Sequence, residues 1–302
     1  MWQPRVVTIL CSDLHLSSRP PVWRSEEPCW FEAMAKPLHE LDKLAYKHKV
    51  PILCSGDVFD KWNSSAELIN FALEHLPEMW AIPGQHDLPY HQIKDIQKSA
   101  YWTLVKSGKI HNLAPGHTFQ IENEFRITGF PWGFPVTQSV KRNGSLDIAL
   151  VHEYIWTKNK GYPTAPQTSY VKKAKTKGFD IISYGDNHQS FEVIGEEGII
   201  WNSGGFMKRH KDEISHAPRV GLVMSDGTIQ SHYLNTEGEK YMKTQAADKF
   251  TEGPKMDKFF DSLEGLGASE LDFDKSISEY TKTNNVSNPV IKLINECMEK
   301  DK

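Results

Sequence analysis

Five short segments that carry aspartate or histidine are the parts of this sequence that could do chemistry. Each follows an apolar, strand-like run, and they are Asp13-Leu14-His15, Gly56-Asp57-Val58-Phe59-Asp60, Gly84-Gln85-His86-Asp87, His152 and Gly185-Asp186-Asn187-His188. Because the carboxyl ends of parallel strands meet at one edge of a sheet, these side chains are expected to converge. Carboxylates and imidazoles gathered there can hold two divalent cations about 3.5–4 Å apart, an arrangement suited to attack on phosphoesters. The sequence therefore predicts a metal-dependent phosphoesterase.

Three of these residues have settings that suit particular roles. Asp57 follows a buried strand and the small Gly56. A carboxylate in that position can bridge two cations, because each of its oxygens can bind one of them. Asp13 and His15 are two residues apart, so in extended backbone their side chains would point to the same side. We expect these two to bind one ion together.

The elements that must position these segments follow from hydrophobic periodicity. Three continuous apolar runs are typical of buried parallel strands, namely Val6–Cys11, Val50–Cys54 and Met79–Ile82. Helices are predicted at about Cys29–Lys49, Ser65–His75, Ile93–Lys106 and Tyr170–Lys177. Further strands are predicted within His117–Phe130 and at Leu146–Val151, Asp180–Tyr184, Phe191–Ile194, Gly198–Trp201 and Arg219–Met224. This order predicts an α/β fold in which two sheets pack together and helices flank them.

The composition changes after about Leu234. Residues 235–253 are polar and rich in lysine, and the rest of the chain has apolar residues at intervals that suit short helices. We therefore expect one main domain over residues 1–235, followed by a linker and a small helical region over residues 236–302.

The overall composition is that of an ordinary soluble protein. Of the 302 residues 39% are hydrophobic and 25% charged, and the net charge is −4. No global basic field is present, so any contact with nucleic acid must depend on local patches. The N-terminus lacks a signal-peptide pattern, no apolar stretch is long enough to span a membrane, and no cysteines have C-x-x-C spacing. These features predict a cytoplasmic protein without a membrane partner.

At the five segments, the chain resembles the calcineurin-like metallophosphoesterase superfamily. The family pattern is D-x-H, G-D-x-x-D, G-N-H-[DE], a single H and then G-H-x-H, and this chain follows it in order over residues 5 to about 205. The resemblance implies a four-layer sandwich, made of two mixed β-sheets flanked by helices, with the small helical C-terminal appendage beyond it. It also implies two divalent metal ions and a metal-bound hydroxide as the nucleophile.

The resemblance further implies a set of ligands for each ion. The first ion would be held by Asp13, His15, Asp57 and His188, and the second by Asp57, Gln85, His152 and Asp186. Gln85 stands where the family has Asn and Asp186 where it has His, so both departures fall on the second ion. Carboxylate and amide oxygens with a single imidazole favour Mn²⁺, with Mg²⁺ the next choice, over Zn²⁺. We expect this second ion to bind more weakly or with a different selectivity.

His86 resembles the family's histidine that binds no metal. By resemblance it would contact the phosphate and help to protonate the leaving oxygen, while Asp87 would orient its imidazole. Asp60 has two interpretations that remain open, a supporting or helix-capping role and a catalytic one. The histidines without a comparable setting are expected at the surface, and they are His91, His111, His117, His210 and His216.

Within the superfamily, the chain looks most like DNA nuclease subunits of the SbcD type, which process DNA ends with Mn²⁺. The segments that carry this likeness are Cys54–Asp60, Gly84–Leu88 and Asn202-Ser203-Gly204-Gly205. It implies exonuclease and endonuclease activity on DNA in end processing, recombination or repair. The partners that it implies are DNA and an SbcC-like coiled-coil ATPase, and a homodimer is a further option.

Local basic residues leave the substrate open. One cluster comprises Lys172, Lys173, Lys175 and Lys177, and a second comprises Lys208, Arg209 and Lys211. Either cluster could bind DNA phosphates, although an exposed helix face is the better explanation of the first. The aromatic loop Phe130–Pro135 could stack on bases or pack against the core. The alternatives to a DNA nuclease are a phosphatase or phosphodiesterase for small molecules or phosphoproteins, and a scaffold without catalysis.

Overall fold

The strands of this protein form two mixed sheets. The computed structural model describes residues 4–121, 124–139, 144–157, 171, 176–195 and 198–242, and twelve strands lie within them. The first sheet has the order β12-β11-β1-β2-β3-β4. Its strands are β1 (Val6–Cys11), β2 (Ile52–Cys54), β3 (Met79–Ala81), β4 (Ile110–Asn112), β11 (Arg219–Met224) and β12 (Ile229–Tyr233). Strands β1 to β4 are parallel, whereas β11 is antiparallel to both β1 and β12.

The second sheet has the order β5-β6-β7-β8-β10-β9. Its strands are β5 (Thr118–Ile121), β6 (Phe125–Phe130), β7 (Leu146–His152), β8 (Ile181–Gly185), β9 (Phe191–Ile194) and β10 (Ile199–Asn202). The four central strands are parallel, and the two edge strands are antiparallel to their neighbours. Both sheets therefore have a parallel centre whose carboxyl ends can carry the site.

Alternation along the strands builds the layers. In β1, Leu10 packs between the two sheets against residues such as Ile148 of β7. Its neighbours Ile9 and Cys11 face the opposite way, into a core that includes the helices. Those helices are α1 (Trp30–His48), α2 (Ala66–His75) and α3 (Ala100–Lys106). A third apolar cluster covers the outer face of the second sheet, so the predicted sandwich of two flanked sheets is confirmed.

Over the described residues, the predicted helices match the structure with one exception. Ser65 caps α2, since its side chain accepts a hydrogen bond from the backbone of Leu68. The single helix predicted over Ile93–Lys106 is wrong, because a 3-10 helix at Ile93–Lys98 precedes α3. Ser99 separates the two in extended backbone and caps α3 with its side chain. Serine favours such a cap over a helix interior.

Several predictions lie wholly or largely outside the described residues. These are the helix near Tyr170–Lys177, of which only the ends are described, and the region 236–302 beyond residue 242. Within the described residues, no helix combines the length and the apolar character needed to cross a membrane.

Candidate metal centre

The carboxyl ends of both sheets bring the predicted metal ligands together. Nε2 of His15 lies 3.0 Å from Nε2 of His188. The same His15 atom is 3.7 Å from Oδ2 of Asp57 and 3.9 Å from Oδ1 of Asp13. Nε2 of His152 lies 3.2 Å from that same Oδ2 of Asp57. Asp57 thus stands between the two groups of ligands, which is the place that a bridging carboxylate needs.

The approach of the two sheets depends on hydrogen bonds at their carboxyl ends. The hydroxyl of Ser55, just past β2, donates to the backbone of Ser183 in β8 at 2.9 Å. The carbonyl of Ser55 accepts from Nδ1 of His152 at 2.6 Å. With Nδ1 donating to this carbonyl, Nε2 is the ring atom that faces Asp57 and that could bind a cation after losing its proton. The fold therefore sets the histidine tautomer that a metal ligand requires.

The backbone at these ligands is left-handed. Asp13, His15, Asp57 and Asp186 have φ values of 54°, 46°, 54° and 75°. The expectation that Asp13 and His15 converge through extended backbone is therefore wrong in its reason, although their side chains do meet. Such conformations are strained for residues other than glycine, and they persist where surrounding contacts enforce them. Here the backbone N–H of Asp13 donates to the backbone carbonyl of Gly56, and that of His15 donates to the backbone carbonyl of Asp57, both at 3.0 Å.

Two glycines leave the space that the ligands occupy. A Cβ atom on Gly84 would lie 2.0 Å from Oδ1 of Asp57. A Cβ atom on Gly56 would lie 2.3 Å from Nδ1 of His152, and the φ of Gly56 is +101°. No side chain fits either position without displacing a ligand.

Four buried atoms that could bind a cation in this centre have no hydrogen-bond partner within 3.0 Å. They are Oδ2 of Asp13, Oδ2 of Asp57, Oε1 of Gln85 and Nε2 of His152. An unsatisfied buried acceptor costs about 1–3 kcal/mol, so bound cations would stabilise a cluster of them. Oxygen and imidazole nitrogen are suitable donors for divalent cations. The residues present therefore fit a pair of such ions.

The electrostatics of Asp57 and His152 also favour a cation between them. Burial is the largest single influence on each pKa and opposes the charged form, but the surrounding charges and hydrogen bonds, led by the attraction between these two groups, together outweigh it. The pKa of Asp57 is lowered to about 2, and that of His152 is raised to about 10. Burial raises the pKa of the neighbouring Asp13 to about 6. A divalent ion would replace the proton on His152 and relieve the repulsion between the two carboxylates.

The two departures from the family pattern contact each other. Nε2 of Gln85 donates to Oδ1 of Asp186 at 2.7 Å, and the backbone of Asp186 donates to Oδ1 of Asp13 at 3.0 Å. The amide nitrogen of Gln85 is thus occupied, which leaves its buried Oε1 as the atom able to bind a cation. Gln85 and Asp186 therefore act as one pair, and a change in either would disturb the other.

His86 lies beside the cluster, and hydrogen bonds fix both its ring and its backbone. Its Nδ1 donates to the backbone carbonyl of Asp60 at 2.9 Å, and its backbone N–H donates to Oδ1 of Asp57 at 3.0 Å. The ring is edge-on to His15, with 4.9 Å between centroids. The imidazole is therefore fixed next to a metal ligand.

Asp87 has a different place from the one predicted. Its carboxylate is fully buried and accepts hydrogen bonds from the backbone of Val58, Phe59 and Gly84, at 3.1, 2.9 and 3.1 Å. Nδ1 of His86 is instead oriented by the carbonyl of Asp60. Asp87 thus braces the loops that present Asp57 and Gln85, and the prediction that it orients the His86 imidazole is corrected.

Glu213 is a residue of the site that sequence reasoning missed. Its Oε1 accepts a hydrogen bond from Nδ1 of His188 at 2.7 Å, and its Oε2 accepts from the backbone of Arg209 and of His210. Burial opposes the charge on both partners, but their hydrogen bond lowers the pKa of Glu213 to about 2 and raises that of His188 to about 9. A carboxylate that orients a ligating histidine is common at metal sites. Nothing in the sequence near Glu213 indicates this role.

Asp60 and Arg209 form an ion pair beside another histidine ligand, His15. Oδ1 of Asp60 lies 2.7 Å from the guanidinium of Arg209 and 3.7 Å from Nδ1 of His15. Arg209 is 7% exposed, so it is a buried member of the centre rather than part of a surface patch. Asp60 does not cap α2, because Ser65 does. The residues from Arg209 to Glu213 therefore contact the surroundings of both His15 and His188.

The remaining predicted residues are more dispersed. His216 is buried and bonds through Nε2 to the carbonyl of Gly205, so its expected place at the surface is wrong. His91, His117 and His210 are exposed as predicted, and His111 is partly exposed. Lys177 and Lys211 are exposed, whereas the other three lysines of the first basic cluster lie outside the described residues.

Two mixed sheets with a cluster of carboxylates and imidazoles at their carboxyl ends define a class, the metal-dependent phosphoesterases. The model of the calcineurin-like phosphoesterase family matches residues 7–190, which is more than half of the chain. The chain therefore belongs to that family, whose members typically bind two divalent metal ions.

The chain is also similar to solved structures, at low sequence identity. A Staphylococcus aureus protein described as a putative 5′-nucleotidase has a TM-score of 0.49 and 12% identity, over 80% of this chain and 56% of its own. The protein TT1561 of Thermus thermophilus has a TM-score of 0.46 and 12% identity, over 77% and 100%. The NAD nucleotidase of Haemophilus influenzae has a TM-score of 0.43 and 15% identity, over 94% and 61%. No curated protein matches the chain.

Proposed function

We propose that this protein hydrolyses phosphodiester bonds in DNA with two divalent cations. The observation that carries the proposal is the cluster of buried, unsatisfied ligand atoms beside His86. Cations bound there would polarise the phosphoryl oxygen and lower the pKa of a bound water. Mn²⁺ is the ion that we expect, because Gln85 and Asp186 add oxygen donors to the second site.

His86 is the proposed catalytic residue. The carbonyl of Asp60 holds its Nδ1 in the protonated form, so its ring has one defined tautomer in the resting protein. In its imidazolium form it would contact the phosphate and deliver the Nε2 proton to the leaving oxygen. Exchange of His86 for alanine should slow turnover about 10²–10⁴-fold, the usual range for a general acid. Calorimetric titration with Mn²⁺ should give nearly unchanged affinities, and a large loss of affinity would contradict this division of roles.

The choice of DNA over other phosphoesters is supported by the likeness to SbcD-type nucleases. One segment of that likeness, the turn Asn202–Gly205, is tied to the centre. The backbone of Gly205 donates to the carbonyl of His188, and that of Phe206 donates to the carbonyl of Asp13. An SbcC-like coiled-coil ATPase remains the proposed partner, and co-purification of the two proteins would test it.

The decisive experiment compares substrates under one set of conditions. The protein is incubated with Mn²⁺ and labelled single-stranded or double-stranded DNA, and in parallel with bis(p-nitrophenyl) phosphate and p-nitrophenyl phosphate. Cleavage of DNA that EDTA abolishes is the expected result. Cleavage of only the small esters would favour a small-molecule or phosphoprotein esterase. No cleavage of any substrate, with intact metal binding, would favour a scaffold without catalysis.

A further inference from the structure

A polar groove of about 430 Å³ lies beside the metal centre. One wall is the segment 16–19, which follows the first pair of ligands, and the other is the segment 60–68, which leads into α2. The groove shares Asp60 with the centre, and Oδ1 of Asp60 is 3.7 Å from Nδ1 of His15. Its volume is within the range of about 300–1,000 Å³ that is usual for ligand sites. The groove therefore adjoins the surroundings of a histidine ligand.

The charge of the groove is positive. Arg19 and Lys61 both line it and both are exposed, and neither forms an ion pair with any residue that the structure describes. The carboxylate of Asp60 is the acidic group in the lining, and Arg209 lies 2.7 Å from it and compensates its charge. Two uncompensated cations in a groove beside a phosphoesterase centre favour an anionic ligand.

The walls are held in place by their own hydrogen bonds. The hydroxyls of Ser18 and Ser65 lie 2.9 Å apart and connect the two walls. The hydroxyl of Ser17 donates to the carbonyl of Arg19 at 3.0 Å, and that of Ser64 donates to the carbonyl of Lys61 at 2.8 Å. The backbone that carries each cation is therefore fixed before any ligand arrives, which lowers the entropy cost of binding.

The lining also limits which chemical groups of a ligand can bind there. It consists of serines, Asn63, the charged residues and two leucines, and it includes no aromatic side chain among the described residues. A nucleobase would find no ring to stack on, whereas phosphate oxygens would find cations and hydroxyls. Contacts of this kind carry no sequence information.

We propose that this groove binds the DNA phosphate next to the scissile one, through Arg19 and Lys61. The inference rests on the proposed function and specifies it further. Substrates with at least two linked phosphates should be favoured over esters with one, and cleavage should be independent of base sequence.

The test compares the double variant Arg19→Ala/Lys61→Ala with the wild-type protein and with Lys43→Ala/Lys47→Ala. The control removes two exposed lysines from α1 and causes the same change in net charge. Steady-state cleavage of a single-stranded oligonucleotide and of bis(p-nitrophenyl) phosphate is measured with Mn²⁺ at several salt concentrations.

For the groove variant, we expect the ratio of kcat/KM for the oligonucleotide to kcat/KM for the small diester to fall about tenfold or more. The slope of log KM against log salt should decrease by about 1 for each phosphate that the variant no longer neutralises. The control should keep the wild-type ratio and slope. An unchanged ratio, or an equal loss on both substrates, would refute the groove.

The two proposals fail in different ways. If the wild-type protein leaves the oligonucleotide intact but cleaves the small diester, the proposed DNA activity is wrong. If the wild-type protein cleaves the oligonucleotide and the groove variant does so with the same KM and salt slope, only the groove is wrong.

Discussion

Replacement of Glu213 by glutamine tests whether the centre depends on a carboxylate outside the matched family region. In the structure, the carboxylate accepts hydrogen bonds from Nδ1 of His188 and from two backbone N–H groups. A glutamine side chain has the same shape but only one oxygen. If that oxygen faces His188, an NH₂ group faces the backbone donors, and the reverse arrangement points the NH₂ group at a protonated Nδ1. Either orientation weakens the hold on the imidazole.

The size of the effect follows from the contacts. Supporting residues of this kind are worth about 10–100-fold in metal affinity, which is about 1.4–2.7 kcal/mol. The value should lie toward the upper end, because the side chain of Glu213 is 3% exposed and its hydrogen bonds are shielded from water. The loss should fall on the ion that His188 would bind, so one of the two binding events should weaken and the other should change little.

The assay is calorimetric titration of the stripped protein with Mn²⁺, accompanied by the thermal unfolding temperature of each variant. Glu192→Gln is a matched control, because Glu192 is an exposed carboxylate on β9. Glu213→Asp keeps the charge on a shorter side chain and should recover part of the affinity. Two unchanged binding events in Glu213→Gln, with the protein still folded, would refute the reasoning.

Three further predictions concern the ligands and the ions. Gly84→Ala should abolish binding of the two cations, since the added Cβ would lie 2.0 Å from Oδ1 of Asp57. In the control Gly195→Ala the nearest contact of the added Cβ is 3.5 Å, so this variant should bind Mn²⁺ normally in the same titration. Gln85→Asn/Asp186→His restores the family residues and should shift the preference of the second site from Mn²⁺ toward Zn²⁺, measured by competition; an unchanged preference would mean that these two residues do not set it. Saturation with Mn²⁺ at about 100 times its Kd should stabilise the fold by about 2.7 kcal/mol, and EDTA should reverse the corresponding rise of about 5–10 °C in unfolding temperature.

Local patterns predicted the elements that carry the site. Continuous apolar runs such as Val6–Cys11 indicate strands because a parallel strand is buried on both faces. The motifs placed the ligands at the ends of these strands, and the structure brings them together there. The apolar spacing continues across Ser99, so the sequence pattern does not show that the helix is interrupted there. The side-chain hydrogen bond of Ser99 decides where α3 begins.

Support of the ligands was harder to predict because it comes from residues distant in the chain. Glu213 reaches His188 across 25 positions, and the identity of neither residue indicates the other. The motif predicts that Asp87 orients the neighbouring His86, yet its carboxylate accepts hydrogen bonds from the backbone of Val58 and Phe59. A motif shows only which residues are close in sequence, whereas the direction in which each side chain points depends on the conformation of the whole loop.

The sequence by itself determined the family, the presence of the strands β1 to β3 and the short segments that carry the candidate metal ligands, because these depend on residue types at short spacing. Tertiary structure alone decided that Gln85 and Asp186 form a pair, that Glu213 holds His188 while Arg209 pairs with Asp60, and that Arg19 and Lys61 share a groove. The physical reason is that these relations arise only when loops from two sheets meet at one edge. There, burial makes each unsatisfied polar atom costly, and the packing of both sheets determines which partner it finds.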